Sequence, residues 1–200
     1  MKVKSLILVL PFMAICMSMS CRKQGIPSAP KELATDSVGC LLKPDSLVEC
    51  KIAVDYPVGK DSFSANVRNY IGMELYKTYL PLVNDEEKVE KEYPRYSGSL
   101  GDGQTVVDYY GKGTVRFLHE QCDEIRKVGM DSPGMAFDMA IRKIDENDRY
   151  VTYKSTSYIF LGGAHGSSTE YAVNIVKPSG TVLADVIDTV KLKSMQPLLR

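Results

Sequence analysis

Large apolar residues occupy every second position from Val48 to Val58, and this alternation constrains the fold more than any other feature of the sequence. Mostly polar or charged residues fill the positions between them. Successive side chains of a strand point to opposite faces, so the pattern predicts a half-buried β-strand. Pro57 and Gly59 are expected to end it.

Two segments after this strand carry the three- and four-residue spacing of amphipathic helices. The first covers 62–80, where Asp61 or Ser62 can cap the amino end and Pro81 stops the helix. The second covers about 104–128, with apolar residues repeating along one side. Both segments are therefore expected to bury one stripe against a sheet.

Gly111 and Gly113 lie inside the second helix, where each costs about 1 kcal/mol relative to alanine. They predict either a break or a close packing contact. Three period-two runs follow, at 135–141, 150–161 and 169–175, with turn-forming residues between them. A strand, two helices and a meander predict an α+β fold, in which two amphipathic helices pack on one face of an antiparallel β-sheet.

The amino terminus has the pattern of a targeting segment. Lys2 and Lys4 precede an apolar run of twelve residues, 6–17. A membrane-spanning helix needs roughly 20 apolar residues, so the run predicts a signal peptide, 1–20, and not a membrane span. Small residues then precede Cys21, as in lipoprotein signals, so we expect Cys21 to be lipidated and to become the mature amino terminus.

A second interpretation of this segment stays open, because Ser18–Ser20 also suits ordinary signal peptidase, which would release a soluble protein. With lipidation, 21–38 is expected to be a flexible tether and 39–200 a single α+β domain of the cell envelope. Arg22 and Lys23 stand where surface-exported lipoproteins often carry acidic residues. The anchor is therefore expected to face the periplasm, with the cell exterior as the alternative.

Charge and composition argue against several partner classes. The chain has 25 basic and 25 acidic residues, and its formal net charge is zero. Nucleic-acid binding normally requires a basic face, so no nucleic-acid partner is expected. The sequence also has no phosphate-binding glycine loop, and no cofactor is predicted.

An exported protein can keep disulfide bonds, so two of the remaining cysteines are candidates for a disulfide. Cys40 and Cys50 flank the turn-forming segment 43–46, and a hairpin there would bring them close together. They form either a disulfide or a pair of small buried residues, with equal weight given to both. Cys122 is expected to be unpaired and buried.

The candidate binding site is the glycine-rich segment between the second and third runs. Gly162, Gly163 and Gly166 surround His165, and glycine allows both unusual backbone angles and close approach by a partner. The segment predicts either a ligand-contacting loop or only a wide hairpin connection. If it binds, the four residues are the expected ligand contacts.

Signs of catalysis or metal binding are weak. His119 and Cys122 are one helical turn apart and could share a metal with His165, but no fourth ligand is apparent. A packed Cys122 and a surface His119 are favoured, and no metal site is assigned. No G-x-S-x-G motif occurs, and no catalytic residue is assigned.

The stretch Tyr158 to Gly166, followed by Ala172-Val173-Asn174 and the turn at Pro178-Ser179-Gly180, resembles a family of exported α/β domains of unknown function. That family includes the extracellular region of the anti-sigma-V factor, which binds lysozyme, and the non-catalytic part of a peptidoglycan deacetylase. The resemblance covers about 45–200. It implies binding, whereas the anti-sigma and deacetylase roles do not carry over, since neither a sigma-binding segment nor a catalytic domain is found.

Relatives continue into closing strands, so the domain is expected to lack some of theirs. The combined expectation is a lipid-anchored, non-enzymatic binding module of the cell envelope. Peptidoglycan or a secreted protein such as lysozyme is the expected partner, besides the membrane itself. The alternatives are an envelope hydrolase with His165 as general base, and a structural lipoprotein of a larger assembly.

Overall fold

The computed structural model describes residues 32–78, 86–131 and 134–183. The strands are β1 (Thr35–Leu42), β2 (Val48–Pro57), β3 (Met135–Glu146), β4 (Tyr150–Phe160), β5 (Ser167–Val176) and β6 (Thr181–Leu183), and the helices are α1 (Ser62–Lys77), α2 (Glu86–Glu92) and α3 (Gly103–Lys127). The predicted signal peptide and the lipidation site Cys21 lie outside the described residues. The first helix ends at Lys77, three residues before its predicted end at 80. None of the described helices is long and apolar enough to cross a membrane.

The six strands form one sheet in the order β1-β2-β3-β4-β5-β6. The α+β class is confirmed, but the prediction of an antiparallel sheet is wrong, because β2 and β3 pair in parallel. All other neighbours are antiparallel. The three helices between β2 and β3 return the chain to the end of the sheet where β2 began, which a hairpin cannot do. The sheet is therefore mixed.

The buried face of the sheet follows the alternation that the sequence predicts. In β2 every second residue from Val48 is buried, and in β3 the same holds from Met135 to Ile141. Each apolar side chain buried in this way contributes about 1.5–3 kcal/mol to the hydrophobic stabilisation of the fold. The central strands thus carry most of the sheet's contribution to the core.

Both long helices begin at an aspartate cap. Asp61 accepts a hydrogen bond from the Ser64 backbone at 2.8 Å, and Asp102 accepts from Gln104 at 3.1 Å. Helix α3 runs without a break through its glycines. An added Cβ at Gly111 would meet the Cys40 sulfur at 2.5 Å, so the close packing contact predicted for this helix is confirmed.

The amino-terminal boundary of the folded part differs from the prediction. Strand β1 begins at Thr35, inside the segment 21–38 that was expected to be tether. Ahead of it, the Leu33 backbone nitrogen donates to Glu146 at 2.8 Å, and Lys143 donates to the Leu33 carbonyl at 2.9 Å. These two hydrogen bonds hold Leu33 to the end of the sheet where β3 turns into β4.

Candidate functional site

The glycine-rich loop connects β4 to β5. Gly162 has a φ of 81°, in the left-handed region that favours glycine. A Cβ at Gly166 would clash with the Tyr158 ring, whereas one at Gly163 would meet nothing within 4 Å. His165 is exposed, and its Nδ1 lies 3.2 Å from the Gly166 carbonyl oxygen.

This loop lies at the end of the sheet opposite the amino-terminal attachment. In the pairing of β3 with β4, Glu146 faces Val151 at one end and Ala136 faces Phe160 at the other. Leu33 is bound at the Glu146 end. Strand β4 has eleven residues and so separates the two ends by roughly 35 Å. The loop is thus remote from the point where the chain enters the domain.

Beside the loop, the carboxyl-terminal part of α1 and the ends of β3, β4 and β5 enclose a cavity of about 490 Å³, which we call the α1 cleft. Its lining combines apolar side chains of the strands with hydroxyl groups and one ion pair. The lining residues are Glu74, Lys77, Thr78, Phe137, Met139, Ser157, Ile159, Leu161, Ser167, Thr169 and Tyr171. Small-ligand sites in proteins have this size and this mixture of groups.

Glu74 is the most unusual residue of the α1 cleft, because its side chain is only 2% exposed. Lys77, one helical turn later, donates to Glu74 Oε1 at 2.9 Å, and the Tyr171 hydroxyl of β5 donates to Oε2. Burial and the hydrogen bond to this carboxylate raise the pKa of Tyr171 to about 12. Tyr171 is therefore protonated near neutral pH and remains a donor to Glu74.

The predicted ligand contacts and the cleft are neighbours but do not coincide. Leu161 and Ser167, which flank the loop, line the α1 cleft, whereas Gly162, Gly163, His165 and Gly166 are not part of its lining. Gly166 packs instead on Tyr158. The loop thus borders the cleft without forming it.

Glu74 was not among the residues predicted for a site, although the sequence contains a signal for it. Val67, Ile71 and Glu74 follow the four- and three-residue spacing of one helix face, and the first two are fully buried. A carboxylate on an apolar stripe is rarely buried without a partner. Its position therefore pointed to a polar contact from the sheet, which Tyr171 provides.

The structure brings Cys40 and Cys50 together on β1 and β2. Both are free thiols in this structure. The interaction between the two thiols lowers the pKa of Cys40 and, together with burial, raises the pKa of Cys50. The Cys40 thiol also donates to the Val107 carbonyl of α3 at 3.9 Å. The hairpin prediction is confirmed, and the bond itself stays a prediction.

The residues considered for a metal are not assembled. His119 Nε2 lies 3.7 Å from Asp45, Cys122 is buried, and His165 is in the β4–β5 loop. Within 32–78, 86–131 and 134–183, no group of three or more histidine, cysteine or acidic side chains could hold a metal ion.

Comparison with known proteins gives distant structural neighbours. No family model matches the sequence, and no curated protein matches it. A DUF3298 family protein from Pseudomonas aeruginosa PAO1 is 14% identical, covers 84% of this chain and 68% of its own, and has a TM-score of 0.44. A member of the same family from Bacteroides fragilis NCTC 9343 is 11% identical over 84% of this chain and 70% of its own, with a TM-score of 0.46. At these values the function has to be argued from the chain's own residues.

Proposed function

We propose that the protein is a non-catalytic binding module of the cell envelope, anchored through Cys21, and that it recognises peptidoglycan through the α1 cleft. The observation that carries the proposal is the cleft's lining. Ser157, Thr169 and Tyr171 bring hydroxyl groups to the lining, which also contains apolar side chains and the paired Glu74 carboxylate. Such a surface suits a ligand with both polar and apolar sides.

The size of the cleft favours a chain-like ligand over a folded protein. A cavity of about 490 Å³ has the scale of small-ligand sites. Specific protein–protein interfaces instead bury about 800 Å² on each partner, mostly on flatter surfaces. Peptidoglycan supplies sugar and short-peptide segments that fit a cleft, so it is favoured over a secreted protein such as lysozyme.

The position of the cleft suits an anchored module. We infer that α1 and α3 cover the same side of the sheet, because Thr78 at the end of α1 contacts Met139, and Gly111 of α3 contacts Cys40. The cleft opens where α1 ends. That end lies opposite Leu33, from which the tether would lead to the membrane. A ligand in the envelope could therefore reach the cleft without meeting the anchor.

Catalysis by His165 has no support from its surroundings. Its ring contacts the neighbouring Gly166 carbonyl, and no carboxylate among the described residues lies within ion-pair distance. A general base is normally oriented by such a partner. This arrangement does not favour His165 as a general base.

The experiment compares two variants of β5 whose side chains point to opposite faces. Thr169→Trp fills the α1 cleft, whereas Ser168→Trp places the same group on the other face of the exposed strand. Full-length protein is incubated with purified insoluble peptidoglycan, and the bound fraction is measured by sedimentation. We expect saturable binding that Thr169→Trp abolishes and Ser168→Trp leaves unchanged.

Three results would contradict the proposal. They are equal binding by both variants, the absence of sedimentation with peptidoglycan, and the release of soluble fragments during incubation. Binding of lysozyme in place of peptidoglycan, measured in parallel by calorimetry, would assign the surface to a protein partner instead.

A further inference from the structure

A second cavity of about 390 Å³ lies between α3 and the segment that follows α2, away from the α1 cleft. We call it the α3 pocket. Its lining residues are Glu92, Tyr93, Pro94, Tyr109, Lys112, Gly113 and Arg116. Tyr109, Lys112 and Arg116 recur at three- and four-residue steps, so they share one face of the helix.

The Tyr109 ring is both exposed and held in place. It is 36% exposed, yet its hydroxyl donates to the Pro94 carbonyl at 2.8 Å. The rings of Tyr96 and Tyr110 both pack against it, and each ring centroid lies 5.3 Å from the centroid of the Tyr109 ring. A fixed aromatic face loses little conformational entropy when a ligand stacks on it.

Two cations border this face. Lys112 is exposed and makes no ion pair among the residues that the structure describes. The Arg116 guanidinium lies 4.6 Å from the centre of the Tyr93 ring, donates to the Glu92 carbonyl and forms an ion pair with Glu120 at 3.8 Å. The position of Arg116 is therefore set before any ligand arrives, and Lys112 supplies the positive charge that no described carboxylate pairs with.

We propose that the α3 pocket binds an acidic sugar, with the sugar ring on Tyr109 and its carboxylate at Lys112 and Arg116. The C–H bonds of a sugar ring carry partial positive charge and suit the negative face of an aromatic ring. A carboxylate beside the ring matches the two cations. This site is independent of the one proposed above, because the two share no residue.

An acidic peptide is the weaker alternative. Peptide sites commonly use a free strand edge or an apolar groove, and they bind main-chain groups. The floor of the α3 pocket is a helix, whose backbone groups are bonded within α3. The pocket thus offers a ring surface and charge, but no row of backbone partners.

The test uses two sugars that differ only at one carbon. The ¹⁵N-labelled full chain is titrated with methyl β-D-glucuronide and with methyl β-D-glucoside, and amide shifts are followed by NMR. We expect the glucuronide to move the amides of Tyr109, Lys112 and Gly113 and to bind more tightly than the glucoside. Added salt should reduce this preference, since the carboxylate contact is exposed.

Variants separate this site from nonspecific charge effects. Lys112→Gln should weaken glucuronide binding about three- to fivefold and leave glucoside binding unchanged, and Lys112→Arg should restore it. Lys127→Gln removes the same charge from the far end of α3 and should have no effect. Tyr109→Phe keeps the ring and should retain most of the binding, whereas Tyr109→Ala should lose it.

The proposal is overturned if both sugars bind equally, if the shifted amides lie elsewhere, or if Lys112→Gln and Lys127→Gln behave alike. Tighter binding of an N-acetylated Asp-Glu dipeptide amide than of the glucuronide would assign the pocket to a peptide. None of these results bears on peptidoglycan binding by the α1 cleft.

Discussion

Gly111 of α3 lies directly over the Cys40 thiol of β1, so close that a methyl group on Gly111 would come within 2.5 Å of the sulfur. Glycine is less favourable than alanine inside a helix, but a larger residue at this position would collide with the Cys40 sulfur. The same methyl group would also lie 3.2 Å from Leu42 Cδ1, which is a tight contact. The contact brings α3 close to the edge strand.

The first prediction is that Gly111→Ala destabilises the protein by up to about 2 kcal/mol. Overpacking costs about 1–3 kcal/mol, and the better helix propensity of alanine offsets about 1 kcal/mol of it. In a Cys40→Ala background the sulfur is gone, so the same change should stabilise the protein. Urea denaturation of the four proteins measures this cycle. The same sign in both backgrounds would show that Cys40 is not the obstacle.

The second prediction concerns the two thiols on β1 and β2. Because the Cys50 thiol contacts the Cys40 sulfur, a mild oxidant should link these residues and leave Cys122, which is 1% exposed, unmodified. The bridge would close a short loop and add about 2–3 kcal/mol in the chain-entropy model. Peptide mass spectrometry of the exported protein detects it. Two alkylated thiols after oxidation would exclude the bridge.

Local patterns in the sequence predicted the elements better than their partners. The alternation from Val48, the helix begun at Asp61 and the meander after Met135 are all observed, since each depends on residues close in sequence. The parallel pairing of β2 with β3 was missed because it joins residues more than eighty positions apart. Strand β1 was expected only as one arm of the hairpin at Cys40, and its start at Thr35 was missed because half of its residues are exposed and its alternation is weak.

The candidate sites also divide into features that depend on residues close in sequence and features that depend on distant ones. The three glycines within 162–166 predicted a loop, because glycine allows backbone angles that other residues avoid. The α1 cleft depends on Glu74 meeting Tyr171 across 97 positions, and the α3 pocket depends on Tyr109 meeting Pro94. The spacing of Glu74 on an apolar helix face pointed to a polar partner but not to Tyr171, and nothing in the spacing pointed to Pro94 as the partner of Tyr109. Both sites therefore required the tertiary structure.

The third prediction concerns the attachment at Leu33. Glu146 is 10% exposed, and although burial alone raises its pKa, hydrogen bonds from Lys143, Lys177 and Leu33 lower it below the ordinary value. A depressed pKa stabilises the folded state above the unfolded value of about 4.3, and this contribution is lost as pH falls through the folded pKa. Glu146→Gln should therefore cost about 2 kcal/mol at pH 7 and much less at pH 3.

Urea denaturation at the two pH values measures this difference. Glu32→Gln is the matched control, because Glu32 contacts the same Lys143 but is 82% exposed. It should change the free energy of unfolding by less than about 0.5 kcal/mol. An equal effect of Glu146→Gln at both pH values would mean that the carboxylate charge does not stabilise the attachment.

The fourth prediction concerns the anchor. Because Cys21 follows small residues and a short apolar run, Cys21→Ala should abolish labelling by a radioactive fatty acid and release the protein from membranes. Cys16→Ala, inside the apolar run, is the control and should leave both unchanged. Membrane fractionation of the two variants measures how much of each protein remains membrane-bound. Retention of Cys21→Ala in the membrane fraction would contradict lipidation at this residue.

The last prediction concerns His165 and the glycines beside it. If the loop contacts the ligand in the α1 cleft, His165→Ala should weaken binding by about 1–3 kcal/mol, the cost of an unsatisfied polar partner. Its effect on stability should be small, because the side chain is exposed. Gly162 has the positive φ, so Gly162→Val should destabilise the fold by about 1–2 kcal/mol, whereas Gly163→Val has open space and should not. Melting temperature and peptidoglycan affinity, measured for all three variants, separate these effects. If His165→Ala lowers stability as much as it weakens binding, the histidine supports the loop and does not contact the ligand.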